Sequence, residues 1–200
     1  FFNTNKFEKC QEEIGKIEKS NNDAKSLIDK NFSDIRMIIN GLGSTVSIEE
    51  YFDINTITLN PTSCWKDEFF TYVDIDSVGK GDGNISFDKK ILGKDAPSRA
   101  RRVAQDRTVV VSTVRPYLKG FAYIESVPDK IIFSTGFALL KSKNEDTYIS
   151  KLLYYLLMYS DDLMKQMETA MPKAAYPSIN KEDIDNFKIP LLTIDEQERI

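Results

Sequence analysis

Between residues 89 and 119 the chain places nine of its 27 lysines and arginines and only two of its 31 aspartates and glutamates, a local charge of +7 in a protein of net charge −4. Like charges crowded into one segment repel and add little stability. Lys89, Lys90, Lys94, Arg99, Arg101, Arg102, Arg107, Arg115 and Lys119 are therefore expected to meet something anionic. Nucleic acid is the first candidate. Ser98, Ser112, Thr113, Tyr117 and Phe121 are interleaved with the cations, and hydroxyls and rings beside guanidinium groups suit contacts to phosphates, sugars and bases. The alternative reading of the window is a solvated face that offsets the acidic remainder.

A second segment repeats the theme. Met171 to Asn180 combines two prolines, small residues, Lys173, Tyr176 and Ser178, the composition of an ordered surface loop whose amides and ammonium can approach a phosphate while Tyr176 packs on sugar or base. A plain connector between helix and strand has the same composition.

Other chemistry is excluded by what the chain lacks. It has no histidine, which removes Ser-His-Asp and Cys-His nucleophilic machinery, histidine-ligated zinc and any imidazole proton shuttle. Gly79, Gly81 and Gly83 match neither a Walker loop nor a dinucleotide fingerprint and read as a turn. Asp74, Asp76 and Asp82 are spaced loosely like a calcium loop, but Val78 and Ile85 stand where ligands are needed. The string Asn60-Pro61-Thr62-Ser63 lacks the second proline and the aromatic residue that hold a target base in adenine methyltransferases.

The elements that would position these residues follow from periodicity. Residues 1–43 are expected to form a coiled-coil helix with Phe7, Ile14, Asn21, Ile28 and Ile35 in one row of its seam and Cys10, Ile17, Ala24, Asn31 and Ile38 in the other, ended by Gly41 and Gly43. An amphipathic helix packed on its own domain fits the same pattern; the length, about 50 Å, favours a projecting coil. Residues 44–192 read as a mixed α/β domain. Its expected strands are Phe69 to Ile75, Ile85 to Phe87, a central Arg107 to Val114 carrying the run Val109-Val110-Val111, Phe121 to Glu125, a long Lys130 to Leu140 bent at Gly136, and Ile184 to Pro190. Tyr148 to Ala170 has helical spacing, with Ile149, Leu152, Leu153, Leu156, Leu157, Leu163, Met164 and Met167 on one face. Thr193 and Glu196 form a capping box that opens a second helix over residues 193–200. A domain of about 150 residues buries enough surface to fold without metal or disulfides. Cys10 and Cys64 are expected to be free thiols in the cytoplasm, no apolar run approaches the ~18 to 20 residues that span a bilayer, and both ends read as cuts through a longer chain.

Taken together, Ala96-Pro97-Ser98-Arg99-Ala100-Arg101-Arg102, then Val109 to Pro116, Phe133-Ser134-Thr135-Gly136-Phe137, and Ile189-Pro190-Leu191 through Glu196-Gln197 resemble the specificity subunits of type I restriction-modification systems. The resemblance covers most of the chain, and the order and spacing of the strings carry it. It implies a target-recognition domain, one where the family usually has two, between helices that set the distance between half-sites and dock methyltransferase subunits. It implies a sequence-specific DNA-binding subunit without catalysis of its own, with S-adenosylmethionine, ATP and Mg expected on the modification and restriction subunits. The expected partners are double-stranded DNA, those subunits, and a homodimer mate or second recognition half. Arg99, Arg101, Arg102, Arg115 and Lys119 are the candidates for gripping phosphate, and five such contacts give a log-log salt slope of about −4 to −5. Ser98, Tyr117, Tyr176 and Ser178 are candidates for reading bases; Lys89, Lys90 and Lys173 complete the DNA-binding set. Arg115, followed by proline after a central strand, can alternatively bond a carboxylate as a structural pair. Two other architectures share these features: a coiled-coil scaffold binding an acidic protein, and the recognition domain of a fused restriction-methylation enzyme.

Overall fold

The computed structural model describes residues 44–171 and 177–199, together with ten positions between Glu13 and Lys30. Those ten are helical and exposed. The ten proposed seam residues, Gly41, Gly43, Lys173 and Tyr176 lie outside the described residues. The chain divides into two units, Phe1–Gly43 and Ser44–Ile200.

Along the second unit the strands are β1 (Thr45–Ser47), β2 (Phe52–Ile54), β3 (Phe69–Val73), β4 (Lys90–Leu92), β5 (Ala100–Arg102), β6 (Thr108–Ser112), β7 (Phe121–Ile124), β8 (Ile131–Ser134), β9 (Phe137–Ser142) and β10 (Lys188–Pro190). The helices are α1 (Ile48–Tyr51), α2 (Pro61–Cys64), α3 (Ser150–Tyr159), α4 (Asp161–Ala170), α5 (Lys181–Asn186) and α6 (Ile194–Glu198). An antiparallel sheet runs β2-β9-β6-β7, a mixed sheet runs β4-β3-β8-β5 with β3 and β8 parallel, and β1 pairs with β10. The fold is the expected mixed α/β class, and the valine run of β6 sits inside its sheet between β9 and β7. β-branched side chains pack well there because both faces of the strand are covered; Val109, Val110 and Val111 are fully buried.

The two four-stranded sheets share a core. Val73, Ile131 and Phe133 of the mixed sheet meet Val110, Ala122, Ile124, Phe137 and Leu139 of the antiparallel one, with the rings of Phe133 and Phe137 edge to face at 6.0 Å. Phe70, Tyr72, Ala100 and Ile132 point to the other side of the mixed sheet, where Trp65, Leu59 and Ala96 cover them. α3 lies against β6, β7 and β9.

Four expected elements are revised. Lys130 to Leu140 is not one bent strand: β8 and β9 belong to different sheets, and the chain crosses between them at Thr135-Gly136. Tyr148 to Ala170 is two helices, because the Ser160 hydroxyl accepts the Leu163 N–H at 3.3 Å and starts α4 afresh, with Asp161 and Asp162 in its first turn. Ile184 lies in α5, opened by a reciprocal Asn180–Asp183 box, so the strand before Pro190 begins only at Lys188. Ile85 makes a single bridge to Val78 in place of a strand.

The capping box at Thr193 is formed: Glu196 accepts the Thr193 N–H and hydroxyl, both at 2.8 Å. One turn on, the Gln197 amide is buried. Its oxygen accepts the Ile149 N–H at 2.8 Å and its nitrogen donates to Thr147 O at 2.9 Å and Leu192 O at 3.1 Å, tying α6 to the start of α3.

Candidate nucleic-acid interface

The basic window does not form one patch. β6 divides it: Arg107 precedes the strand and Arg115 follows it, and the strand's five residues alone span about 16 Å. At the leading end Arg107 pairs with Glu125 at 3.6 Å. On the β4 edge Lys89 is bound to Asp74 and lies 5.3 Å from the Tyr72 ring centre, while Lys90 bonds the Thr71 hydroxyl. Partial burial works against the Asp74 charge, but hydrogen bonds from Lys89 and Ser77 and the ammonium charge outweigh it and lower its pKa. The same bond raises that of Lys89. Lys94 is exposed near Lys66, whose carbonyl takes its N–H.

The trailing end of β6 brings the remaining candidates together. Thr135 N–H bonds Arg99 O at 2.8 Å, and Gly136 O accepts both the N–H and the hydroxyl of Thr113, at 2.9 and 2.8 Å. Val114 bridges Ser178, with Ile179 N–H on Thr113 O and Arg115 N–H on Pro177 O, each 2.9 Å. Past the 3-10 turn Pro116–Leu118, Lys119 O accepts the N–H of Gly81 at 2.9 Å. Five chain segments thus meet edge to edge, joined almost wholly by backbone bonds. Their outward side chains include Lys80, Arg99, Thr135, Arg115, Tyr117, Leu118 and Ser178, all exposed.

The cations of this strip, Lys80, Arg99 and Arg115, make no ion pair among the described residues, so the carboxylate partner weighed for Arg115 is not formed. Lys119 donates to Met158 O at 2.6 Å near the C-terminus of α3, where a cation is favoured, and that carbonyl brings no opposing formal charge. The nearby carboxylate of Asp82 is folded onto its own loop, and the Asn84 N–H it accepts at 2.9 Å lowers its pKa.

Arg101 and Arg102 are only half exposed. Arg101 bonds the carbonyl of Ala100 at 2.7 Å; Arg102 has its Nε buried without a partner, and that burial lowers its pKa. Ser98 is exposed beside Arg99. Lys80 was not among the residues singled out from the sequence, because the glycines around it read only as a turn. Its signal was a lone cation between Gly79 and Gly81; Gly81 and Gly83 both have positive φ, and the Gly81 N–H on Lys119 O holds the loop beside Lys119.

No curated protein matches the chain. The family model for the type I restriction modification DNA specificity domain matches residues 8–200. Among solved structures, the HsdS subunit from Thermoanaerobacter tengcongensis is 34% identical, with a TM-score of 0.68 over 78% of this chain and 39% of that one. A structure solved for complex assembly and conformational transition of the type I R-M system is likewise 34% identical, with a TM-score of 0.69 over the same shares. The chain thus spans about 39% of the length of these relatives. A chain matched by the family model over nearly its whole length, with this mixed α/β fold, belongs to the type I restriction-modification DNA specificity domain family.

Proposed function

We propose that this domain holds one segment of duplex DNA and directs the methyltransferase and restriction subunits of a type I restriction-modification complex to it, performing no chemistry itself. S-adenosylmethionine, ATP and Mg would be held by those subunits. A second recognition half, on the same polypeptide or on a second copy, would complete a two-part target. The observation that supports this reading is the strip at the trailing end of β6, where unpaired Arg99, Arg115 and Lys80 stand around exposed hydroxyls and a tyrosine in a chain of net charge −4. Cations fix register on phosphates, and the polar and aromatic groups between them reach base edges. Lys173 and Tyr176 precede Pro177 closely in sequence and are candidates to extend the same surface.

The test is an anisotropy titration of the full chain with a labelled mixed-sequence duplex between about 50 and 200 mM salt. Lys80, Arg99, Arg115 and Lys119 together predict a log-log slope of about −3 to −4, and Arg99→Ala with Arg115→Ala reduces its magnitude by about 1.8. Absence of duplex binding at low salt overturns the proposal, and so does a slope untouched by the double substitution.

A further inference from the structure

We infer that Tyr117 and Leu118 form a stiff apolar wedge that enters between stacked base pairs of the bound duplex, an inference that rests on the DNA-recognition reading above. Both side chains are exposed, at 44% and 37%, although they are neighbours on a three-residue turn. Scattered exposed apolar groups need no explanation. An adjacent tyrosine and leucine, held between unpaired cations, do.

The turn is built to hold them out. Pro116 fixes its first residue and is itself buried. Arg115 and Lys119, which bracket it, both adopt left-handed backbone, with φ of 48° and 53°. Neither is glycine, so both conformations are strained and persist only because the surroundings impose them. Those surroundings are explicit: Arg115 N–H bonds Pro177 O, Leu118 N–H bonds Arg115 O, Lys119 N–H bonds Pro116 O, Gly81 N–H bonds Lys119 O, and the Lys119 ammonium bonds Met158 O. Little conformational freedom remains to be lost when the turn enters a crowded site.

The neighbouring charge selects the occupant. Arg115 adjoins the turn in sequence, Lys80 reaches it through the Gly81 bond, and Arg99 lies along the same strip. An apolar protein surface docked here would have to bury those unpaired cations, which is costly. A nucleic-acid duplex meets both needs, with phosphates for the cations and, between base pairs, an apolar slot about as thick as a side chain. Leu is a side chain that pries base steps apart, and an aromatic ring can replace the stacking a base loses.

A wedge must spend energy on unstacking, so it prefers DNA in which that cost is already met. The test compares an intact mixed-sequence duplex with the same duplex carrying one central abasic site, each titrated with the full chain at several salt concentrations. Wild type binds the abasic duplex at least fivefold more tightly. Tyr117→Ala with Leu118→Ala abolishes this preference and weakens intact-duplex binding about tenfold, yet leaves the salt slope unchanged because neither residue is charged. Tyr117→Phe retains the preference. Both side chains keep more than half of their surface covered, so the double variant melts a few degrees below wild type, and binding is compared at a temperature where every variant is folded. Wild type that binds both duplexes equally, or a double variant that keeps the preference, overturns the wedge and leaves the DNA-recognition reading intact. Failure of wild type to bind either duplex overturns that reading and the wedge with it.

Discussion

Replacing Gln197 by leucine tests how the C-terminal helix is fixed to the domain. The side chain is 4% exposed and makes three hydrogen bonds, accepting from Ile149 N and donating to Thr147 O and Leu192 O. Leucine has nearly the same volume, so no large cavity forms, but all three bonds are lost. At about 1 kcal/mol net for each, the loss is about 3 kcal/mol, and the greater hydrophobicity of leucine returns about 1 kcal/mol. The backbone groups differ in their recourse: Thr147 is exposed and its carbonyl can take water, whereas Leu192 is buried and its carbonyl lies inside. A net destabilisation of about 2–3 kcal/mol lowers Tm by about 5–10 °C for a chain of this size. Thermal unfolding followed by circular dichroism measures it, and a shift below about 2 °C would refute the assignment. Gln197→Glu adds a pH signature. Its carboxylate still accepts from Ile149 N but faces two carbonyl oxygens, which with burial raises its folded pKa above the ordinary value near 4.3. An acid with a raised folded pKa binds protons more readily in the folded state, so the variant is nearest wild type below about pH 4. It then loses stability as pH climbs to the raised pKa, and levels off beyond it. A deficit that does not change with pH contradicts the geometry.

Two further perturbations probe the scaffold. A Cβ on Gly93 would stand 2.1 Å from Trp65 O and 2.7 Å from Pro61 O, both backbone atoms, so Gly93→Ala must push the α2 loop off the mixed sheet; a loss of about 2–3 kcal/mol in urea unfolding is expected, with a shift in the emission of Trp65, the chain's one tryptophan. Asp74 has a lowered folded pKa, so its contribution is present above the ordinary value of 3.8 and fades as pH falls through the lower folded value; because the pair is solvent-screened it amounts to at most about 1 kcal/mol, and Asp74→Asn should remove that part of the acid dependence of stability.

The sequence displayed its regular elements wherever local pattern and burial agree. Val109-Val110-Val111 announced β6, and Thr193 with Glu196 announced α6, because a β-branched run and a reciprocal cap are local properties. The crossing at Gly136 has a tertiary cause: Lys130 to Leu140 is apolar on both sides of Ser134-Thr135-Gly136, as one long buried strand would be, and only the pairing of β8 with β3 and β5 and of β9 with β2 and β6 reveals the switch of sheets. The break at Ser160 carried a legible signal, a serine followed by two aspartates, which the apolar periodicity across it masked. The cations show the limit most clearly. Asp74 and Glu125, which engage Lys89 and Arg107, both lie outside residues 89–119, so no count of charge within that window can tell which cations are already paired.

That separation between pairing and exposure leads to a last prediction. The strip at the end of β6 is assembled through Arg99 O, Thr135 N, Gly136 O, Thr113 O, Ile179 N, Arg115 N and Pro177 O, all of them backbone atoms. Any residue other than proline supplies the same N–H and C=O groups. The guanidinium groups of Arg99 and Arg115 bond nothing else among the described residues, so removing them costs the fold little, about 0.5 kcal/mol or less for each. Arg99→Ala with Arg115→Ala should therefore melt within about 2 °C of wild type while losing the steep salt dependence of duplex binding. A surface whose backbone carries the structure and whose side chains carry the contacts can change what it reads without refolding, which is the property a recognition domain needs. If the double variant instead melts far below wild type, the arginines are structural, and the flattened salt slope would report unfolding in place of lost phosphate contacts.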